Sequence, residues 1–211
     1  MPTKHHSALE FIPEKATIPT LWKAAQACTA CDLYQKATQA VLGEGPATAS
    51  VFFLGEQPGD QEDLAGQPFV GPAGQVLDEA LAAARIPRAA VYVTNAVKHF
   101  KWEPRGKRRI HAKPTLGEVR ACRPWLEAEL AIVKPRIIVC LGATAAQALM
   151  GPAFRITRDH GRFFASEWAP WLTATLHPSA ILRMPDREKK DAARAELVAD
   201  LRKVAERAEL A

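Results

Sequence analysis

The stretch Val51-Phe52-Phe53-Leu54-Gly55-Glu56 decides the fold. Four apolar residues run into a glycine, which is the pattern of a buried strand that ends in a turn. Similar apolar runs recur later in the chain, at 91–94, 137–141 and 172–176. Apolar residues at helical spacing fill the segments 76–84, 116–133, 144–150 and 188–210. Because strands that alternate with helices build parallel sheets, we expect an α/β fold: a three-layer α/β/α sandwich with a central, mostly parallel four-stranded sheet.

The composition is that of a folded globular protein. The chain has 211 residues, of which 48% are hydrophobic and 24% are charged, which excludes a disordered or fibrous protein. We expect a single domain over 1–211, whose N-terminal segment, 1–35, carries two cysteines. No apolar run approaches the roughly 18 residues of a membrane span, and the first ten residues lack an apolar signal region. We therefore expect a cytoplasmic protein, and a monomer.

The net charge of +5 is concentrated in one segment, 98–113, which holds seven lysine or arginine residues and one acid, Glu103. A basic segment on a nearly neutral body predicts a polyanionic partner. On charge alone, a solvated loop is the alternative.

The four cysteines form one close pair, Cys28 and Cys31, and a wider pair, Cys122 and Cys140. A chain without an export signal is not expected to form disulfides. Four cysteines that include a C-x2-C pair suit a four-thiolate metal site, and their spacing does not choose between zinc and an iron–sulfur cluster. For Cys140, the alternative is a small buried residue at the end of a strand.

Three loops follow the carboxyl ends of predicted strands, where parallel α/β sheets bind ligands. The first loop delivers Glu56 and Asp60 into a cleft. Further along, Phe69 lies among glycines and prolines, where it cannot easily join the core and is suited to stacking on a planar ligand. The alternative is a turn with a solvated acid and a phenylalanine packed beneath it. The loop is not a phosphate-binding P-loop, because no Gly-Lys-Ser/Thr follows.

Four ordered motifs resemble the family 4 uracil-DNA glycosylases. They are Gly55-Glu56-Gln57-Pro58-Gly59, the segments 62–71 and 92–98, and His177-Pro178-Ser179-Ala180. The cysteines match that family's cluster ligands in order and approximate placement. The resemblance covers most of the chain, from Cys28 to the final helix. It implies a 4Fe–4S cluster held by Cys28, Cys31, Cys122 and Cys140.

Two features depart from the usual family 4 pattern. Gln57 stands where alanine is common, and an insertion reads Arg105-Gly106-Lys107-Arg108-Arg109-Ile110-His111. Both features resemble the UdgX subgroup, which is known for binding uracil-DNA covalently through the histidine of this loop. The resemblance implies that His111 is the attacking group.

The resemblance and the chemistry of base excision together assign roles. His111, Glu56 and His177 are the expected catalytic residues: Glu56 counters positive charge on the sugar, and His177 donates to a carbonyl oxygen of uracil. The expected uracil-binding residues are Gln57, Asp60, Phe69 and Asn95. The expected DNA contacts are Lys98, Arg105, Lys107, Arg108, Arg109, Ser179, Leu182 and Arg183. The last three lie in a loop expected to fill the gap left by a flipped base.

The expected partner is uracil-containing DNA, preferably single-stranded, and the expected product is a covalent adduct between His111 and the abasic sugar. Two alternatives stay open. One is a hydrolytic, multiple-turnover family 4 uracil-DNA glycosylase in which His111 contacts only phosphate. The other is a non-catalytic iron–sulfur module that binds DNA. In every case the cluster is expected to fasten the N-terminal loop to the body and to take no part in the chemistry.

Overall fold

The protein is described here by a computed structural model over residues 6–209. Seven strands are present in this part of the chain: β1 Val51–Gly55, β2 Val91–Asn95, β3 Trp102–Arg105, β4 Arg108–His111, β5 Ile137–Leu141, β6 Phe163–Phe164 and β7 Trp171–Thr175. Five of them form one sheet in the order β2-β1-β5-β7-β6, and the pairs among β2, β1, β5 and β7 are all parallel. The α/β fold with a mostly parallel central sheet is therefore confirmed.

The central sheet has five strands, where the sequence predicted four. The additional strand is β6, which pairs antiparallel with β7 through Phe163↔Thr173 and Phe164↔Leu172. Two residues are too few to show the alternation of polar and apolar side chains by which a strand is recognised. The edge of the sheet was therefore not visible in the sequence.

Eight α-helices accompany the strands over the described residues. They are α1 Ile18–Ala25, α2 Asp60–Ala65, α3 Pro72–Ala83, α4 Leu116–Val133, α5 Gly142–Met150, α6 Ile156–Asp159, α7 Pro178–Leu182 and α8 Arg187–Ala208. Helix α4 begins at a capping box in which Thr115 and Glu118 exchange side-chain-to-backbone hydrogen bonds, and it continues through Pro124. None of these helices has the length and apolarity of a membrane span.

Two apolar layers cover the faces of the sheet, and β1 contributes to both. Val51 and Phe53 pack on one side with residues of α3 and α8, whereas Phe52 and Leu54 pack on the other side with residues of α4 and α5. Successive side chains of a strand point to opposite faces, so an unbroken apolar run marks a strand that is buried twice. This is the three-layer arrangement that the sequence predicted.

The basic segment contains a β-hairpin. Strands β3 and β4 pair antiparallel, with Trp102 opposite His111 and Arg105 opposite Arg108. Gly106 forms the turn with φ +60°, a conformation that glycine adopts without steric cost. The hairpin therefore gives His111 a fixed place at the end of β4, where a flexible loop would not.

Candidate active site

Three parallel strands bring site residues to one edge of the sheet. Gly55 and Asn95 are register partners at the ends of β1 and β2, and Glu56 follows directly. His177 lies two residues beyond β7. Since the carboxyl ends of parallel strands share an edge, these side chains converge there, as expected.

The pocket at this edge is built around Gly55, which has no side chain. A Cβ at Gly55 would overlap Asn95 Oδ1 and would lie 2.8 Å from Phe69 Cζ. Asn95 is only 3% exposed and Phe69 only 8%. The amide and the aromatic ring therefore approach the strand end closely because position 55 is glycine.

Phe69 is held in an unusual backbone conformation. Its φ is +59°, in the left-handed region that non-glycine residues seldom occupy. Buried Glu62 fixes the loop from both sides, since its carboxylate accepts hydrogen bonds from Gly59 N at 3.1 Å and from Gly71 N at 2.7 Å. Sequence reasoning did not identify Glu62; an acid between glycine-rich turns was the available signal. The Phe69 ring ends 6.4 Å from the His177 ring, centroid to centroid, at an interplanar angle of 28°.

His177 is fixed in one protonation state by its neighbour. The backbone N–H of Ser179 donates to His177 Nδ1 at 3.0 Å, so that nitrogen is an acceptor and the ring proton lies on Nε2. Burial lowers the pKa of His177 to about 4, because the cation would lose its hydration, although Glu56 acts in the opposite direction. His177 is therefore a neutral imidazole with one N–H available to a ligand.

Glu56 and His111 face each other across the site, with 3.4 Å between Glu56 Oε1 and His111 Nε2. Burial favours the neutral acid, but the hydrogen bonds from His111 and Thr144 and the fields of His111 and His177 outweigh it, and the pKa of Glu56 is lowered. Glu56 is therefore charged at neutral pH. Its partner Thr144, in the first turn of α5, is a further residue that sequence reasoning missed.

The hairpin that carries His111 is clamped at its base by Gln57. The Gln57 Nε2 group donates to the carbonyl oxygens of Lys101 and Ala112, each at 3.1 Å, and Lys101 N donates to Gln57 Oε1 at 3.2 Å. Gln57 was predicted to contact uracil through backbone groups near it. Its amide is occupied by both strands of the hairpin, which leaves only its backbone for a base.

A second clamp joins the hairpin to α2. Arg109 Nη1 donates to Asp63 Oδ2 at 2.6 Å, and Arg109 Nε lies 2.6 Å from Asp60 Oδ1. Asp63 is fully buried and also accepts from the backbone N–H and the hydroxyl of Thr38. Asp60 and Arg109, predicted to contact uracil and DNA respectively, are thus engaged with each other. Asp63 was not identified in the sequence.

Lys98 was predicted as a DNA contact, and its position does not allow that. The residue is 0% exposed, and its Nζ forms an ion pair with fully buried Glu129. The same ammonium donates to Thr94 Oγ1 at 2.7 Å and to the Asn95 carbonyl oxygen at 2.8 Å. Its positive charge is paired with Glu129 inside the protein, because a buried ammonium requires a partner. Within the basic segment, Arg105, Lys107 and Arg108 are exposed on the hairpin.

The loop after β7 separates the two candidates for insertion into DNA. Leu182 is partly buried and packs against the core layer beside α3 and α8. Arg183 is exposed, and its Nη1 donates to Ser179 Oγ at 3.2 Å. Of the two, Arg183 is the side chain presented at the surface.

The four cysteines are all buried, but they do not form one group. Cys28, Cys31 and Cys122 share one apolar cluster, whereas Cys140 belongs to the layer between the sheet and α4 and α5. Burial raises the pKa of Cys31 to about 11 and that of Cys122 to about 12, so only a bound cation would draw off these protons.

Two N–H groups donate hydrogen bonds to sulfur atoms among the three clustered cysteines, as is common at iron–sulfur sites. Trp125 Nε1 donates to Cys28 Sγ at 3.4 Å, and Lys98 N donates to Cys122 Sγ at 3.2 Å. Such N–H donors stabilise negative sulfur ligands. Within residues 6–209 no three His, Cys, Asp or Glu side chains are arranged around one metal ion. A four-iron cube is bound through several of its irons, so its ligands need not converge on one point.

Comparison with known proteins adds to this geometry. Residues 42–202 match the model of the uracil DNA glycosylase superfamily. Over 165 residues the chain is 39% identical to a type-4 uracil-DNA glycosylase of Pyrobaculum aerophilum, a match that covers 75% of this chain and 81% of the relative. A type-4 uracil-DNA glycosylase of Archaeoglobus fulgidus is 37% identical over 186 residues, covering 85% of this chain and 87% of the relative. A third, from Thermotoga maritima, is 39% identical over 162 residues, covering 76% and 81% respectively.

Proposed function

Because this chain belongs to the uracil DNA glycosylase superfamily, we propose that it removes uracil from DNA by cleaving the bond between the base and its deoxyribose. The observation that carries the proposal is the convergence of Glu56, Asn95 and His177 at the carboxyl edge of the sheet, beside the ring of Phe69. The target base must leave the DNA stack to enter such a pocket. Moving it out costs less free energy in single-stranded DNA than in a duplex.

Phe69 and Asn95 recognise the base. The buried ring of Phe69 offers a flat surface on which a planar pyrimidine stacks. The amide of Asn95 offers one acceptor and two donors, which suit an edge with a carbonyl oxygen beside an N–H. Cytosine places an amino group and a bare ring nitrogen at that edge, so the same amide meets a mismatch.

His177 stabilises the leaving group. When the glycosidic bond breaks, its electron pair remains on uracil and charge develops on a carbonyl oxygen. A neutral imidazole with its proton on Nε2 donates a hydrogen bond to that oxygen without surrendering the proton. The fixed ring orientation means that no reorganisation is needed as the charge forms.

Glu56 stabilises the sugar. Its carboxylate is ionised at neutral pH and lies on the same edge of the sheet, where it counters the positive charge that develops at C1′. In the hydrolytic mode, water attacks C1′ and transfers a proton to the carboxylate, and the departed uracil anion takes up a proton. The names of the type-4 relatives favour this mode, with repeated turnover.

A second mode is favoured by one observation, the 3.4 Å separation of His111 Nε2 from Glu56 Oε1. In this mode the imidazole takes the role that water has in the hydrolytic mode. In this mode one ring nitrogen donates its lone pair to C1′ as the bond to uracil breaks, and the proton on the other ring nitrogen is released. The product is a carbon–nitrogen bond between His111 and the abasic strand, together with free uracil.

The hairpin and the loop after β7 bind the DNA strand. Arg105, Lys107 and Arg108 offer exposed positive charge on the hairpin, and Arg183 offers it in the loop after β7. Phosphate contacts of this kind make binding strongly dependent on salt. We include in the proposal a 4Fe–4S cluster whose ligands include the buried Cys28, Cys31 and Cys122; when bound it supplies a structural cross-link between the N-terminal segment and α4.

A non-catalytic DNA-binding module fits the site less well. Such a module has no need of an ionised, partly buried carboxylate between two histidines, an arrangement that costs solvation energy. The prediction specific to that alternative is DNA binding without preference for uracil.

The test uses a labelled single-stranded oligonucleotide with one uracil, and the same oligonucleotide with thymine. Free uracil is quantified by chromatography at tenfold excess of DNA over protein, and a boiled sample is run on a denaturing gel. Release of uracil from the first oligonucleotide alone supports the proposal, and no release overturns it. Many uracils per protein molecule identify the hydrolytic mode. One uracil per molecule, with a heat-stable band absent in His111→Ser, identifies the covalent mode, for which Lys113→Ser is the matched control.

A further inference from the structure

Three cysteines share an environment suited to a charged sulfur ligand. Cys28, Cys31 and Cys122 lie in one apolar cluster with Val97 and Trp125. The two N–H groups that donate to Cys28 Sγ and Cys122 Sγ come from Trp125 and from the backbone of Lys98. Hydrogen bonds to sulfur are among the interactions by which proteins tune iron–sulfur centres. This trio therefore supplies three of the four ligands that a cubic cluster takes.

Cys140 does not belong to this environment. It lies in β5, in register with Leu54 on one side and Ala174 on the other. Its side chain packs in the layer that also contains Phe52 and Leu126, apart from the trio. A thiol in the middle strand of a sheet cannot move toward another cluster without disturbing both of its neighbours. The trio requires a different fourth ligand.

His99 directly follows two residues, Val97 and Lys98, that contact the trio. The preceding residue, Lys98, donates its backbone N–H to Cys122 Sγ, and Val97 packs among the cysteines. The Lys98 carbonyl oxygen accepts from Val41 N at 2.8 Å, which ties this segment to the stretch after Cys31.

The imidazole of His99 also lacks a polar partner. His99 is only 5% exposed, and its ring forms no hydrogen bond with any other residue of the range 6–209. A ring nitrogen that no protein group engages can bind a ligand, and a metal ion is a ligand that neutral imidazole commonly binds.

We infer that His99, and not Cys140, is the fourth ligand of the iron–sulfur centre, together with Cys28, Cys31 and Cys122. The inference rests on the cluster included in the proposed function and is independent of whether uracil is excised. A neutral imidazole in place of a thiolate makes the centre less negative, which raises its reduction potential, as histidine ligands do in Rieske centres.

His6 is the other histidine near the trio and serves as the matched control. Its backbone N–H donates to the Ala30 carbonyl oxygen at 2.9 Å, between the two cysteines of the close pair. His6 is exposed, whereas His99 is buried at the centre of the packing. Replacement of His6 is therefore not expected to change the centre.

The experiment compares the full chain with four variants, Cys140→Ala, His6→Ala, His99→Ala and His99→Cys, each purified without oxygen. Iron and sulfide per chain, the visible spectrum and the midpoint potential are measured, with circular dichroism as the control for folding. We expect Cys140→Ala and His6→Ala to keep the iron content and spectrum of the unaltered chain, and His99→Ala to lose most of its iron. His99→Cys is expected to keep iron with a lower midpoint potential.

Several outcomes overturn the assignment. Loss of iron in Cys140→Ala or in His6→Ala with the fold intact does so, as does an unchanged potential in His99→Cys. If the unaltered chain contains no iron, both the ligand assignment and the proposed cluster are wrong. Uracil release is assayed on the same preparations, so a protein that carries iron but releases no uracil counts against the proposed function alone.

Discussion

Arg109 Nη1 donates to Asp63 Oδ2 at 2.6 Å, and this contact joins the hairpin that carries His111 to helix α2. Asp63 is fully buried, so its carboxylate depends on Arg109 and on the two donors of Thr38 for stabilisation. The ion pair therefore keeps a buried charge paired, and it fixes the position of the hairpin that carries the exposed His111.

Replacement of Arg109 by alanine is expected to lower both stability and the contribution of His111. Removing one partner of a buried ion pair leaves the other charge unpaired, which costs about 3 kcal/mol. Urea unfolding measures the stability loss, and the amount of heat-stable adduct or of released uracil measures the loss at the site. Arg108→Ala, on the same strand but exposed, is the control and is expected to change stability by about 0.5 kcal/mol or less. Equal effects of the two variants contradict this account.

The Gly55→Ala substitution is expected to abolish base recognition while leaving DNA binding intact. A Cβ at this position overlaps Asn95 Oδ1, and a displacement of about 1 Å in such a site lowers the rate by about 100-fold. Uracil release at saturating DNA is the measurement. Binding to thymine-containing DNA stays unchanged, because the exposed hairpin arginines are not touched. Gly151→Ala is the control for adding a Cβ where nothing is displaced, since no atom lies within 4 Å of that position; its φ of 83° strains alanine there, so a stability loss without loss of uracil release is expected. Full activity in Gly55→Ala refutes the proposed pocket.

Uracil release is expected to persist well into the acid range. The pKa of His177 is about 4 and that of Glu56 is below its ordinary value, so lowering the pH protonates neither group until the pH nears about 4. First-turnover release by the unaltered chain is expected to be level from pH 8 to about 5 and to fall below that. In His111→Ser the fall is expected at a higher pH, because this variant loses the hydrogen bond and the charge that lower the pKa of Glu56. Circular dichroism at each pH separates this fall from unfolding. A fall centred near pH 6.5 means that His177 titrates as an ordinary histidine.

The buried pair of Lys98 and Glu129 is expected to show strong coupling. Lys98→Met leaves the Glu129 carboxylate unpaired in the interior and is expected to cost about 3–5 kcal/mol of unfolding free energy. The double variant Lys98→Met/Glu129→Gln removes both charges and is expected to recover much of that loss, because the neutral amide still accepts from Thr94 and Tyr92. Urea midpoints of the two single variants and the double variant give the coupling energy. Additive effects exclude a direct interaction.

Much of the fold could be predicted from short apolar runs, because a strand that is buried on both faces consists almost entirely of apolar residues. β1, β2 and β5 were predicted within one residue of their observed bounds, and β7 within one residue at either end. The hairpin was not visible, because its stability comes from contacts with distant residues, Gln57 and Asp63. Its own residues are mostly polar, with Trp102 and Ile110 as isolated large apolar side chains, and they do not form a clear alternation.

The site residues divide along a similar line. Glu56, Asn95 and His177 followed from their places after strands, since the direction of a strand determines where the next side chain emerges. The sequence did not show which charged residues are buried, paired or exposed. Lys98 and Arg109 count equally in a net charge with Arg108, yet one is fully buried, one is paired and one is exposed. Spacing likewise grouped Cys140 with three thiols that pack in a different apolar cluster.

The donor that orients His177 belongs to the main chain. Every amino acid except proline retains that N–H, so nearly all mutations at position 179 preserve the hydrogen bond to Nδ1. Ser179 Oγ also lies 2.8 Å from Nδ1, so a substitution at position 179 removes one of two contacts and leaves the backbone N–H to orient the ring.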